Sequence, residues 1–422
     1  MRSILAGLAC LAAGAALADP AGAPPSGSVD AMTEEVRPAP GEAGFAEWLA
    51  AFRGRALAAG IAPGTLDAAL AGTRYDADAV RRDARQAEFT KTIWDYLDTA
   101  VSAERIEAGR AALARHGALM EGIEARWGVE REVVAAIWGL ESAFGAFRGD
   151  VPVIGALATL AHDGRRASFF EAQLIAALRI LEAGDVDPEA MRGSWAGAMG
   201  HTQFMPTSYL DFAVDGDGDG RRDVWGDDPS DALASAAAYL AHHGWARGQP
   251  WGVEVRLPEG FDYAEARRDL VRLPSEWARL GVLGVDGAAI EDFAPASVLL
   301  PAGAEGAAFL VFPNFAVLER YNTADAYVIG VGHLADRLRG AGPIEGGWPR
   351  WDRALTYDER VEMQERLTAA GFDTRKIDGK IGPLTIEAVR GFQRAARLSP
   401  DGYAGTAILE RLRAAPEGQG GG

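Results

Sequence analysis

Apolar positions recur at spacings of three and four along most of this chain. Phe45, Trp48, Leu49 and Phe52 open a helical pattern that runs to about Gly117 with few β-branched residues. The same stripe, with alanine between its members, predicts helices over 129–146, 167–183 and 231–243. From about 252 to 315 the period shortens. Val253-Glu254-Val255-Arg256-Leu257 alternates, and the runs Ser297–Leu300 and Phe309–Phe312 are flanked by Gly and Pro, so a few short strands are expected. Helical periodicity resumes from Asn314 to Leu338. The stretch from Gly340 to Pro349 breaks it, and 341–355 reads as a linker. A small helical unit follows over 356–414, in which Asp378-Gly379-Lys380-Ile381-Gly382 and Asp401-Gly402-Tyr403-Ala404-Gly405 each open a helix on one plan. The expectation is a mainly α (α+β) fold: a large helical domain over 42–340 with a few short strands, then a separate three-helix domain and a glycine-rich tail, 415–422.

Composition narrows the function. With 422 residues, 48% hydrophobic and 24% charged, the chain can bury two or three cores. Its net charge of -18 excludes a basic footprint for nucleic acid. Arg2, the apolar run Ile4–Leu17 and the ending Ala16-Leu17-Ala18 form an export signal, 1–18, followed by an aperiodic leader, 19–41. The run is shorter than the roughly 20 residues of a spanning helix. Cys10, the only cysteine, lies inside the signal without a leucine three positions before it, which argues against a lipid anchor. The mature chain therefore has no thiol for disulfides, metal sites or nucleophilic catalysis.

One carboxylate stands out. In the helix around Val133, Val134, Ile137, Trp138, Leu140, Glu141 and Phe144, Glu141 falls at the edge of the apolar stripe. Its helical neighbours are Ile137, Trp138, Phe144 and Gly145, so the carboxyl is expected to face hydrocarbon and a ring. Desolvation of that kind raises a carboxyl pKa toward the range of a general acid, although most carboxylates at a helix edge are simply solvated.

Context supplies the rest. The segment Ile137-Trp138-Gly139-Leu140-Glu141-Ser142-Ala143-Phe144-Gly145 resembles the motif carrying the single catalytic glutamate in goose-lysozyme-like lytic transglycosylases, specifically the membrane-bound lytic transglycosylase B family. Three later blocks match that family in order: Gly197–Tyr209, Trp225–Leu240, and Asn314-Phe315 through Arg320-Tyr321-Asn322 to Ala326-Tyr327. The resemblance implies a lysozyme-like catalytic domain that cuts peptidoglycan glycan strands. Glu141 would protonate the leaving oxygen and then deprotonate the sugar's own 6-hydroxyl, closing a 1,6-anhydro ring with no cofactor. It further implies Gln203, Phe204, Met205, Tyr239, Tyr321 and Tyr327 as sugar-contacting residues. A muramidase of the same fold, with water as acceptor, is the nearest rival, and a non-catalytic wall-binding protein is the other.

Asp215-Gly216-Asp217-Gly218-Asp219-Gly220 begins like an EF-hand calcium loop, with Asp223 further on, but Gly226 stands where the closing glutamate belongs. The family's longer loop implies a structural calcium held by Asp215, Asp217, Asp219, the Arg221 carbonyl and Asp231, with Asp227 and Asp228 as rivals for the last place. Residues 357–413 resemble a small three-helix peptidoglycan-binding domain through Val361, Gln364, Leu367, Gly371-Phe372, Asp378-Gly379, Thr385, Phe392-Gln393 and Asp401-Gly402. The expected partner is the glycan strand of peptidoglycan, with other cell-wall enzymes as further partners, the chain acting as a periplasmic monomer.

Overall fold

The computed structural model describes residues 41–86, 91–163 and 166–415. The export signal, the leader apart from Gly41, and the tail beyond Ala415 lie outside the described residues. Helices α1 (Phe45–Ala58), α2 (Pro63–Leu70), α3 (Ala77–Gln86), α4 (Ile93–Ala100), α5 (Ala103–Arg115) and α6 (Gly117–Trp127) lead to α7 (Arg131–Ser142). Local chemistry starts several of them: the Thr92 hydroxyl accepts the Asp95 N–H ahead of α4, and Ser102 accepts that of Arg105 ahead of α5.

Helix α7 is apolar nearly all round, with Val133 to Gly139 all buried, as a helix enclosed on every side must be. It packs against α5, α6, α11 and α14. Around it lie α8 (Val153–Asp163), α9 (Ala167–Ala183), α10 (Pro206–Phe212), α11 (Ser230–His242), the short α12 (Pro274–Arg279), α13 (Pro313–Tyr321) and α14 (Asp325–Arg339). Strands β1 (Val151–Pro152) and β2 (Arg192–Gly193) pair antiparallel. Strands β3 (Gly252–Arg256), β4 (Leu283–Gly284), β5 (Ser297–Leu299) and β6 (Ala308–Val311) form an antiparallel sheet in the order β4-β3-β6-β5. Period-2 alternation lets β6 serve two cores: Ala308 and Leu310 join a small core with Val255, Trp277 and Val298, while Phe309 and Val311 join the main helical core.

Strands β3 to β6 fall within the predicted region of about 252 to 315, the short β1 and β2 lie outside it, and α9 matches the predicted 167–183. One expected helix does not survive. The pattern from Asn314 to Leu338 is split, because Asn322 leaves helical geometry and its Oδ1 accepts the Ala324 N–H at 3.0 Å, a local turn that competes with the helix. Tyr321 and Tyr327 therefore stand on different helices.

The C-terminal helices α15 (Tyr357–Ala369), α16 (Pro383–Ala395) and α17 (Thr406–Ala414) enclose their own core of Met363, Leu367, Val389 and Leu409. This unit nevertheless docks on the strand-bearing region: Arg390 Nη2 donates to the Ala266 carbonyl at 2.7 Å, and Ala304 N–H donates to Asp401 Oδ2 at 2.8 Å. The aperiodic segment between them is tied down as well. Glu254 accepts the N–H of Glu345 at 2.9 Å, and Arg350 pairs with Asp98 at 2.7 and 2.8 Å.

Candidate active site

Helix α7 ends one residue after Glu141. Ala143 and Phe144 both take positive φ, 49° and 59°, a conformation that costs non-glycine residues about 1–2 kcal/mol each. Several contacts hold the turn. The Ser142 hydroxyl donates to the His201 carbonyl at 2.6 Å and accepts the Gly145 N–H at 3.0 Å. The Phe144 ring folds back over Gly139, where a Cβ would sit 2.6 Å from it, so only glycine admits the ring. Phe144 and Gly145 are therefore not one helical turn above Glu141, as unbroken helical spacing had suggested. The turn aims Phe144 at Trp138 instead, edge to face at 5.7 Å.

Glu141 is 4% exposed, and its environment is phenolic. The Tyr327 hydroxyl, from α14, donates to Glu141 Oε1 at 2.6 Å. Burial pushes the Glu141 carboxyl up to about 8, with the Tyr327 hydrogen bond acting in the opposite sense. The Glu141 charge is felt at Tyr96, Tyr321 and Tyr327, whose own pKa values burial raises further. No second carboxylate contributes to the Glu141 shift. Tyr321 lies nearly parallel to Tyr327, with ring centres 6.4 Å apart, and donates to the Thr202 carbonyl at 2.7 Å.

The Gly197–Tyr209 block forms the adjoining wall. Gln203 adopts a φ of 53° and spends its Nε2 on two carbonyls, Gly200 at 2.7 Å and Arg148 at 3.0 Å. Phe204 is buried and packs on both Tyr239 and Tyr321 with centres 5.9 Å apart. Met205 is half-buried at the start of α10. Tyr239 sits deeper than a sugar contact requires: its hydroxyl donates to the Arg320 carbonyl, and burial pushes its pKa up to about 12. It backs Phe204 and Tyr321.

Two residues were not singled out by sequence reasoning. Tyr96, half-buried on α4, belongs to the same electrostatic cluster, but its spacing from Ile93, Leu97 and Ala100 looks like ordinary core packing. His201 accepts the Trp138 Nε1–H at Nδ1, 3.1 Å, which leaves Nε2 as the protonated nitrogen, 2.8 Å from the Gly226 carbonyl. Burial pushes its pKa down, consistent with a neutral ring.

The acidic loop lies beyond Gly226. Carboxylate oxygens of Asp215, Asp217 and Asp219 come within 4.8 Å of one another. Asp231, on the first turn of α11, stands apart from that trio and accepts the N–H groups of Gly216 and Asp223, each at 2.7 Å. Of the two rivals for the closing place, Asp227 pairs with Arg148 at 2.9 Å, and Asp228 accepts the Ser230 N–H at 2.9 Å. Asp223 accepts the Trp225 and Gly226 N–H groups.

Comparison with known proteins finds matches to both parts of the chain. The profile of the transglycosylase SLT domain matches residues 44–336, and that of a putative peptidoglycan binding domain matches 356–412. Membrane-bound lytic murein transglycosylase B of Escherichia coli K12 is 34% identical over 219 residues, which are 50% of this chain and 58% of that protein; the chain thus spans little more than half the length of this relative. The crystal structure of SltB3 from Pseudomonas aeruginosa in complex with NAG-anhNAM-pentapeptide superposes with a TM-score of 0.85 at 48% identity, covering 87% of this chain and 99% of that one. The Escherichia coli lytic transglycosylase Slt35 in complex with calcium gives a TM-score of 0.60 at 26% identity, covering 71% and 93%.

Proposed function

The chain belongs to the transglycosylase SLT family, and from that premise we propose that it is an exported lytic transglycosylase. It cleaves the β-1,4 bond between N-acetylmuramic acid and N-acetylglucosamine in peptidoglycan and leaves a 1,6-anhydro-N-acetylmuramic acid end. The observation that carries this reading is one buried carboxyl, Glu141, ringed by tyrosines with no second carboxylate acting on it.

A carboxyl raised to about 8 is mostly protonated at neutral pH and can serve as the acid. Tyr327 occupies Oε1, which leaves Oε2–H to protonate the glycosidic oxygen. As the leaving sugar departs, the acetamido oxygen of the muramic acid bonds to its own anomeric carbon. Glu141, now a carboxylate held by Tyr327, takes the proton of the 6-hydroxyl while that oxygen displaces the acetamido group. The acid is restored and no water is consumed. Gln203, its Nε2 already engaged, has Oε1 left to accept the acetamido N–H, and Phe204, Met205 and Tyr321 supply the groove wall beside it. A hydrolase of this fold would be favoured by a carboxylate poised to activate water. The tyrosine cluster gives it none.

The trio Asp215, Asp217 and Asp219 suits a hard cation with oxygen ligands. In this reading they hold calcium together with the Arg221 carbonyl, with Asp231 closing the loop from below. The ion would offset repulsion among the carboxylates and stiffen the loop that meets His201; it takes no part in bond cleavage. The export signal directs the chain to the periplasm, where its substrate lies.

Mass spectrometry of purified peptidoglycan digested with the mature protein tests the reading. Anhydro-ended products that disappear with Glu141→Gln are expected. Reducing ends would make the protein a muramidase, and no cleavage by the wild type would leave a binding protein.

A further inference from the structure

The C-terminal module contains the same device twice. In the first copy, Gln364 on α15 accepts the N–H groups of Asp378 and Gly379 at 3.0 and 2.8 Å, and Asp378 Oδ1 accepts the Lys380 N–H at 2.9 Å. In the second, Gln393 on α16 accepts the Gly402 N–H at 2.8 Å, and Asp401 Oδ1 accepts the Tyr403 N–H at 3.0 Å. Gly379 and Gly402 have φ values of +68° and +82°, and each is covered by the side chain seven residues before its glutamine, Tyr357 or Ile386. Each loop then starts a helix five residues after its aspartate.

The two copies differ in what they hold. In the second, the free oxygen of Asp401 grips a peptide N–H of the catalytic domain, that of Ala304, while Arg390 reaches the Ala266 carbonyl with 5% of its side chain exposed. This copy is occupied. The first copy is open: Asp378 is exposed, and no group among the described residues bonds its Oδ2. Exposed Ile377 and Leu384 flank it. So do Lys376 and Lys380, also exposed and without ion pairs among the described residues, in a chain whose only other lysine is Lys91 and whose net charge is -18. A cationic, partly apolar rim on an acidic protein fits an anionic partner.

We propose that the open loop at Asp378 is the ligand-binding face of this module and that its ligand is the carboxylate-bearing peptide stem of peptidoglycan. Asp378 Oδ2 accepts a stem N–H as Asp401 Oδ2 accepts that of Ala304, Lys376 and Lys380 meet the stem carboxylates, and Ile377 and Leu384 cover its apolar side chains. The neutral glycan is left to the catalytic groove. This inference rests on the proposed peptidoglycan substrate.

The test measures retention on purified sacculi by the full mature chain carrying Glu141→Gln, so that the polymer stays intact. Lys376→Glu with Lys380→Glu is expected to lower retention on the order of fivefold or more at physiological salt, and Lys376→Gln with Lys380→Gln by less. Sacculi stripped of stems by an amidase should hold the unreversed protein as weakly as intact sacculi hold the reversed one. Equal retention of the reversed and unreversed proteins, or undiminished binding to stripped sacculi, would overturn the proposal. Failure of the enzymatic reading is seen separately, as the lack of anhydro products from the wild type. The substitutions are at exposed positions, and an unchanged thermal midpoint checks that the fold is kept.

Discussion

Glu141 and Asp231 each expose only 4% of their surface and burial pushes both carboxyls up, yet the fold gives them different partners. Glu141 has one hydrogen-bond partner among the described residues, the phenol of Tyr327, and its proton is held to about pH 8. Asp231 accepts two backbone N–H groups, and these donors oppose the upward push of burial. Burial by itself therefore does not make a catalytic acid. What decides is how many fixed donors greet the ionised form, and a buried carboxyl with a single phenol keeps a proton to give away.

The comparison is broken most severely at Glu141. Glu141→Gln keeps the shape and removes the proton, and turnover measured by release of soluble fragments should fall by about 10³-fold or more. At Asp231 the loss should appear in stability: Asp231→Ala leaves two backbone N–H groups without their acceptor and should cost roughly 3 kcal/mol in chemical denaturation, with turnover at low temperature much less affected. Excess calcium should raise the thermal midpoint of the wild type and raise it less in that variant.

Tyr327→Phe sharpens the contrast from the other side. It removes the bond that lowers the Glu141 pKa, so the alkaline limb of the pH–rate profile should move up from about 8 while the rate at neutral pH falls on the order of tenfold. An unchanged alkaline limb would mean that Tyr327 does not bear on the acid. The last effect concerns stability. The folded carboxyl keeps its proton to about 8, whereas an unfolded one loses it near 4.5, so stability is full below 4.5 and declines as pH rises from there to about 8. Glu141→Gln abolishes that decline. Compared with the wild type it should gain on the order of 4 kcal/mol at pH 8 and nothing near pH 4, which urea titrations at the two values would show.

Periodicity located the elements whose apolar faces are regular. Alternation at Val253–Leu257 and the stripe at 167–183 were readable because each residue's direction follows from its element alone. The break at Asn322 was not, since a side chain binding its own backbone leaves the apolar spacing intact. Nor was the end of α7, where Ala143 and Phe144 take left-handed geometry that neither residue favours. That turn exists because Ser142 and Gly139 of α7 hold it together with His201, which lies far away in sequence. Tyr96 escaped notice for the same reason, its phenol feeling the Glu141 charge only when α4 is laid beside α14, which also packs on α7.

The sequence by itself determined the helical class, the strand region, the acidic loop and the identity of the one carboxyl worth watching, because these depend on spacing, composition and ordered motifs. Tertiary structure decided that Glu141, buried as expected, has the Tyr327 phenol as its partner, that Asp231 serves backbone donors, and that of two matching loops in the C-terminal module one is occupied and one is open. Each of those outcomes depends on what is brought against a residue from elsewhere in the chain, and desolvation and hydrogen bonding take their values only once those neighbours are in place.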